Sequence, residues 1–501
     1  MMPNAAALPS YLAIDLGAST GRGVVGTLEG DRMAMHEVHR FRTPLVEDAG
    51  HLRWDVDALW HEIKLALRRG FDEAPRLRSV SVDSWAVDYQ PLDASGRPIR
   101  RPYAYRDPRT QGRLHDALAR AGGAAAVYAR TGIQFLPFNT LVQVVADLDD
   151  EPELVSRTAT RLLLADYFLY LLSGVAVAER TIASSTQLLD VVSSTWAKDL
   201  IRAIGDDPAR WAPIVAPGTS LGSVRRELVP HSVTNPPRVI ASCSHDTAAA
   251  VAAVPATGEE PWAYISSGTW SLVGAELRTP ILTDATRDAG FTNEAGLDGT
   301  VRLLRNRTGM WVLEECIREW NAKGEQIGYG ALMAEAAAAD APQGAIDLNT
   351  PPFLERGDMV AKIAHACTAA RVPTPTCRGD LVRLVLESLA QSYARTLDEL
   401  DAIVGRPTEV VHVVGGGAQN ALLNQLTADA AGCRVVAGPV EATVLGNLLV
   451  QARTMGDLPA GLSLRELARR SSRLVEYAVT SPASNPAPTA SLAGVIPPRF
   501  R

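Results

Sequence analysis

The chain is short of lysine, of cysteine and of long apolar runs, and each shortage excludes something. Among its 49 basic residues only Lys64, Lys198, Lys323 and Lys362 are lysine. None of them follows a glycine-rich loop, so a Walker-type phosphate loop is absent. The five cysteines, Cys243, Cys316, Cys367, Cys377 and Cys433, are odd in number and include no Cys-x-x-Cys pair. That disfavours both a disulfide framework and a zinc site. No segment approaches the roughly 18 uninterrupted apolar residues of a membrane-spanning helix. Met1 to Ser10 carries no basic residue ahead of its alanine run, and Pro9 and Asp15 interrupt any signal-like core. A net charge of −7 leaves no basic footprint for nucleic acid. The expectation is a cytoplasmic chain with neither nucleic-acid nor membrane partners.

What is present is a large, ordinarily globular composition. At 501 residues, 47% hydrophobic and 21% charged, the chain exceeds what one core organises and is expected to form two domains. Two glycine turns stand out. Asp15-Leu16-Gly17-Ala18-Ser19-Thr20-Gly21-Arg22 follows the apolar run Tyr11 to Ile14, and Ser266-Ser267-Gly268-Thr269-Trp270 lies between Ala263-Tyr264-Ile265 and Ser271-Leu272-Val273. Both read as strand, tight turn, strand. Glycine permits a sharp turn and close approach, and the adjacent N–H groups and hydroxyls can hold phosphate oxygens. One such turn is commonplace; one near the start of each half suggests a duplicated fold gripping a polyphosphate from both sides.

Other segments fill in the two halves. Met33 to Phe41 reads as a strand, and Val56, Leu59, Trp60, Ile63 and Leu67 recur at helical spacing between a cap at Asp55 and a stop at Gly70. Leu77 to Asp83 reads as a strand and Leu162 to Leu172 as a buried helix. Arg238 to Ser244 is expected as a strand ending at His245-Asp246-Thr247, followed by the helix Ala248 to Val254. Helices are expected over Thr308 to Lys323, Asp380 to Val404 and Asn420 to Ala431, and from Thr443. Glu409 to Val414 and Cys433 to Ala437 read as strands. Strands alternating with helices argue for α/β layers. The expected division is 10–244, 245–475 and a disordered Pro/Ser/Ala-rich tail over 476–501.

Five places could carry chemistry. Asp246 sits at the carboxyl end of an expected strand, where α/β sheets place ligand-binding residues. It can cap the following helix, take the proton from a substrate hydroxyl during phosphoryl transfer, or do both. Asp15 is either a turn former or a magnesium ligand, direct or through water. Gly415-Gly416-Gly417 is a bare loop ahead of a helix or a close approach to a nucleotide. Asp83-Ser84-Trp85-Ala86-Val87-Asp88 is either core or a set of groups for polyol hydroxyls, and Asn306 is equally open.

Together these motifs resemble the FGGY carbohydrate kinases of the actin/hexokinase/Hsp70 ATPase superfamily, in their rhamnulokinase branch. The two hairpins are similar to the family's phosphate turns. Val414 to Asn420 resembles its adenosine motif, and Gly438 to Thr443 with Leu445-Gly446-Asn447 the signature that follows. Arg130-Thr131-Gly132-Ile133-Gln134-Phe135-Leu136-Pro137-Phe138-Asn139-Thr140 is the most discriminating stretch, supported by Asp166-Tyr167-Phe168 and the Thr181 to Leu188 region. The resemblance implies two similar ribonuclease H-like α/β domains with the active site in the cleft between them, and ATP with Mg²⁺ as cofactors. It implies phosphorylation of L-rhamnulose at its 1-hydroxyl, with fuculokinase and xylulokinase activities, or a nucleotide-binding regulator of the same fold, as alternatives. Asp246 would be the general base, with Ala86, His245, Thr247 and Asn306 near the sugar. Ala18, Ser19, Thr20, Gly21, Arg22, Thr269, Glu314 and Gly416 would lie near ATP. Two positions depart from the family pattern: Ala86 replaces a glycine, and Glu314 stands where glutamine is familiar. The implied oligomeric state is monomer or homodimer.

Overall fold

A computed structural model describes residues 8–480. Two sheets of matching layout organise the chain. The first has six strands in the order Thr219–Ser223, Arg238–Ala241, Leu77–Ser84, Ser10–Leu16, Thr20–Glu29, Arg32–Arg42. The second has seven, in the order Thr292–Ala295, Val301–Thr308, Trp270–Leu277, Trp262–Ser267, Val410–Val414, Arg434–Ala437, Val475–Tyr477. In each, an antiparallel hairpin supplies a central strand that then pairs in parallel with strands from later in the chain. This is the duplication expected from the two glycine turns. Ser10–Leu16 and Val410–Val414 are buried along their whole length, as befits a sheet covered on both faces.

Local sequence explains most elements. The helix Val56–Glu73 starts where the Asp55 side chain accepts from the Ala58 N–H at 3.2 Å, and it buries Val56, Leu59, Ile63 and Leu67. Gly70 does not stop it. A Cβ there would come within 3.2 Å of Leu12 and 3.3 Å of Leu77, so this glycine lets the helix lie close on the sheet. The apolar run at 162–172 is also not one helix. Thr160–Leu163 is a strand pairing antiparallel with Tyr89–Leu92, and the helix is Leu164–Ser173. Likewise Thr308 ends a strand, and the helix expected from it begins at Trp311.

Each half has its own core, and a third apolar cluster joins them. In that cluster the alanine-rich helix Asp246–Ala252 packs with the helix Ala442–Thr454 between the two sheets, touching Tyr11, Ala13 and Val24 on one side and Tyr264 and Val414 on the other. The later helix is bonded to the first sheet: Gln451 Nε2 donates to Leu12 O at 3.0 Å, and Ser79 Oγ donates to Gln451 Oε1 at 2.7 Å. The expected boundary at residue 244 therefore cuts into a shared layer. At the other end, Glu476 and Tyr477 belong to the fold, because Val475–Tyr477 pairs with Arg434–Ala437. The part of the expected tail over 481–501 lies outside the described residues.

Candidate active site

The strand ends of both sheets converge on one region. In the first hairpin, Gly17 N–H donates to Thr20 O at 3.0 Å, while Thr43 bonds Gly17 O at 2.7 Å and Ser19 O at 3.1 Å. These bonds hold the tip, with Ser19 and Thr20 exposed and Ala18 half-buried. Gly21 is buried instead, and a Cβ on it would lie 2.4 Å from the Phe41 ring; its need for glycine is packing. Arg22 pairs with Asp15 at 2.9 Å and with Glu441 from the far half.

In the second hairpin, Gly268 N–H donates to Trp270 O at 2.8 Å. The chain entering the helix Trp311–Ala322 grips the tip, Met310 N–H donating to Gly268 O at 2.9 Å and Trp311 N–H to Thr269 O at 3.2 Å. Glu314 on that helix meets the Thr269 side chain; burial raises its carboxyl and the Thr269 hydrogen bond opposes the rise. The triple-glycine loop lies against the same hairpin. A Cβ on Gly417 would fall 2.0 Å from Ser267 Oγ, whereas Gly416 is exposed with nothing within 4 Å of its place. Gly415 N–H donates to Pro439 O at 3.0 Å, and Glu441, two residues on, holds Arg22. The two hairpins and the glycine loop are thus linked through adjacent contacts.

Three aspartates meet at this point. Parallel register sets Asp15 beside Asp83. Asp83 is fully buried; Asn447 donates to its Oδ2 at 2.5 Å, and its Oδ1 has no partner. Burial, then the charges of Asp15 and Asp246, push its carboxyl well above the usual range. An orphaned, buried carboxylate oxygen beside a second carboxylate fits a divalent cation. Among the described residues no group of three or more His, Cys, Asp or Glu forms a protein-only metal cage. Mg²⁺ takes one or two carboxylates and completes its shell with phosphates and water.

Asp246 is the first residue of its helix, and His245, at the cap position, makes no side-chain capping bond. Thr247 N–H donates to Asp246 Oδ1 at 2.6 Å and Thr247 Oγ1 at 3.1 Å. The carboxyl is raised by burial first; the charge of Asp15 adds to this, and His245 and Thr247 oppose it. Its side chain keeps 30% of its surface open, whereas that of His245 keeps 7%. Asn306 stands on the strand Val301–Thr308, its Nδ2 donating to Gln134 Oε1 of the opposite half at 3.3 Å.

The segment around Ala86 divides differently from the sequence reading. Asp88 is saturated by Trp54 Nε1 at 2.6 Å, Trp85 Nε1 at 3.0 Å, Gln143 Nε2 at 2.9 Å and Tyr105 N–H at 3.1 Å. Three of these donors fall on Oδ2 and one on Oδ1; Asp88 organises the loop, and its complete burial closes it to a sugar hydroxyl. Val87 sits at φ 69°, a costly conformation for a β-branched residue, with its carbonyl held by Thr140 Oγ1 at 2.7 Å. Ala86 is the residue left facing the open. Tyr105 and Arg106, which the sequence reading did not single out, also belong here. Burial raises the Tyr105 phenol, and the charges of Arg106, Asp88 and Asp246 reach it. Arg106 lies 5.2 Å from the Tyr105 ring centre and 5.1 Å from that of Trp311 in the other half. No periodicity in the sequence marks this pair; only the cleft brings them to Asp246.

Residues 10–253 match the family model described as the FGGY family of carbohydrate kinases, N-terminal domain, and residues 263–455 match its C-terminal domain. The chain belongs to the FGGY family of carbohydrate kinases. It is 41% identical over 468 residues to a rhamnulokinase of Klebsiella pneumoniae subsp. pneumoniae, covering 93% of this chain and 94% of the relative. It is 39% identical over 465 residues to the rhamnulokinase of Bacillus subtilis, covering 92% and 93%. In fold it is similar to a ligand-bound xylulose kinase from Lactobacillus acidophilus, with a TM-score of 0.76, 16% identity and 94% of each chain covered. It is also similar to a Plasmodium falciparum glycerol kinase with ADP, with a TM-score of 0.75, 15% identity, and 95% of this chain and 94% of that one covered. At such identities the two structures speak for the fold alone. No helix among the described residues is long and apolar enough to cross a membrane.

Proposed function

We propose that this FGGY kinase transfers the γ-phosphoryl group of ATP to the 1-hydroxyl of L-rhamnulose, giving L-rhamnulose 1-phosphate and ADP. One observation carries the choice of sugar: identity of about 40% to rhamnulokinases that extends over more than nine-tenths of both chains.

In this reading the backbone and hydroxyls of Ala18, Ser19 and Thr20 hold the phosphates from one side and Thr269 from the other. Gly416 gives the nucleoside room, beside Glu314. Ala86, His245, Thr247 and Asn306 surround the ketose. Asp246 accepts the proton of O1 as that oxygen attacks the γ-phosphorus; the O1–P bond forms, the bond to the bridging oxygen breaks, and ADP leaves with the electron pair. A carboxyl raised towards neutrality is the better base at working pH. Asp15 and Asp83 would hold Mg²⁺, directly or through water. The bound cation supplies charge neutralisation on the phosphate oxygens. Closing the two halves over the substrates keeps water from competing for the phosphoryl group. All five cysteines are free, which suits the reducing cytoplasm we assign to the enzyme.

The test is coupled ADP release over a panel of L-rhamnulose, L-fuculose and D-xylulose. The highest kcat/KM is expected for L-rhamnulose. A higher value for either other ketose would reassign the substrate, and no sugar-stimulated release with any of them would leave a nucleotide-binding regulator.

A further inference from the structure

Behind Asp246 lies a buried polar chain that the reaction as written does not use. Glu294 and Arg302 are directly opposite each other in the antiparallel pair Thr292–Ala295 and Val301–Thr308. Arg302 is fully buried; its Nη2 donates to Glu294 Oε2 at 2.8 Å and its Nε to Ala295 O at 3.2 Å. The same Nη2 lies 3.0 Å from His245 Nδ1, and His245 Nε2 lies 3.4 Å from Asp246 Oδ1. Alternation along the strand puts Arg302 on the same face as Asn306, so one strand face serves both the imidazole and the sugar side.

A guanidinium has only donors to offer. At 3.0 Å it is a closer partner for Nδ1 than Glu294 Oε2, which stands 3.4 Å away. An accepting Nδ1 satisfies this contact, and the ring proton then falls on Nε2, because the bond made by one imidazole nitrogen fixes the other. The charged groups around His245 are Arg302 and Glu294 from the two strands, Asp246 from its own helix, and Glu179 beneath. The last is reached through Thr181, whose Oγ1 accepts from His245 N–H at 3.3 Å and donates to Glu179.

We propose that Arg302 and Glu294 are positioning residues that hold His245 with its proton on Nε2, aimed at Asp246 Oδ1. Both Thr247 donors engage Oδ1 and the Nε2 proton lies on the same side, 3.4 Å from that oxygen, which leaves Oδ2 as the oxygen that receives the substrate proton. A ring turned or protonated the other way would present a lone pair to the carboxylate and disturb that division. This proposal rests on the assignment of Asp246 as the base.

Nitrogen-15 NMR of histidine-labelled enzyme tests it, with the His245→Gln spectrum identifying the signal. The wild type is expected to carry the single His245 proton on Nε2. Arg302→Met should move that proton towards Nδ1 and lower kcat about tenfold or more, the scale found when an outer partner of a functional histidine is removed. The KM for ATP should be unchanged, Arg302→Lys should restore most of the turnover, and Glu294→Gln should fall between. A wild-type proton on Nδ1, or an Arg302→Met enzyme that keeps both tautomer and kcat, would overturn the proposal. The wild-type spectrum decides even if a variant fails to fold. Failure of L-rhamnulose to shift the His245 signal would sink the sugar-site assignment and leave the tautomer result standing.

Discussion

Gly416 and Gly417 are neighbours with opposite reasons for lacking a side chain, and substituting each by alanine separates them. A Cβ on Gly417 would sit 2.0 Å from Ser267 Oγ and 2.5 Å from Ser267 Cβ. Ordinary contact needs about 3.4 Å or more, so the glycine loop and the second hairpin must part by more than an ångström. Overpacking of this kind costs about 1–3 kcal/mol, seen as a fall of a few degrees in Tm. Ser267→Gly removes both offending atoms, leaving the new Cβ 3.4 Å from Ser267 O. The double variant Gly417→Ala/Ser267→Gly should therefore recover stability that neither change alone predicts. Gly416 is exposed with no atom within 4 Å, so Gly416→Ala should leave Tm unchanged. If the nucleoside rests there, one methyl group costs about 1–3 kcal/mol of binding, which raises the KM for ATP about tenfold while the KM for the sugar holds. Thermal unfolding and steady-state kinetics on the four variants and the wild type suffice. A Gly416→Ala enzyme with wild-type ATP kinetics would refute the placement of the nucleoside.

Two further outcomes are expected. Ala86→Gly should alter the KM for the ketose, or the order of preference among ketoses, more than the KM for ATP, and kinetics with ATP and sugar varied in turn check this. Asp147 is buried; burial raises its carboxyl, but Arg100 at 2.8 Å, Arg109 at 2.6 Å and Tyr89 outweigh this and hold it at about 2 against a free value of 3.8. A depressed carboxylate contributes stability above its unfolded pKa and loses it as pH falls through the folded one, here between about pH 4 and 2, and the shift corresponds to about 2 kcal/mol. Asp147→Asn should destabilise the chain by about 3 kcal/mol at pH 7, because it leaves the buried Arg109 without a carboxylate while Arg100 keeps only Glu151 at 3.0 Å, and denaturant unfolding should show the gap to wild type narrowing across that window.

The hairpins were legible because β-rich runs flank a glycine and small hydroxyls, a pattern local in the chain. Asp246 was legible for a similar reason, as a polar residue where a short apolar strand gives way to a helix. The run at 162–172 was misread because a continuous apolar stretch has no period to separate a buried strand from a buried helix, and its first residues pair with Tyr89–Leu92. Gly70 was misread because propensity takes a helical glycine for a stop, whereas tertiary packing uses it for close approach. Asp88 was left open between core and sugar site, because its four donors come from Trp54, Trp85, Tyr105 and Gln143, spread over segments that only folding assembles. Glu294 and Arg302 carried no signal at all: strand pairing alone sets them opposite each other and behind His245.

The central claim is that Asp246 is the base, and Asp246→Asn tests it most directly. Asparagine keeps the size and much of the hydrogen bonding with Thr247 but cannot take the proton from O1. Turnover on L-rhamnulose should fall by roughly a hundredfold or more, the scale of a general base, while ATP binding measured by calorimetry should survive, because Ala18, Ser19, Thr20, Thr269 and Gly416 are untouched. A folded Asp246→Asn enzyme with near-wild-type turnover would contradict the account.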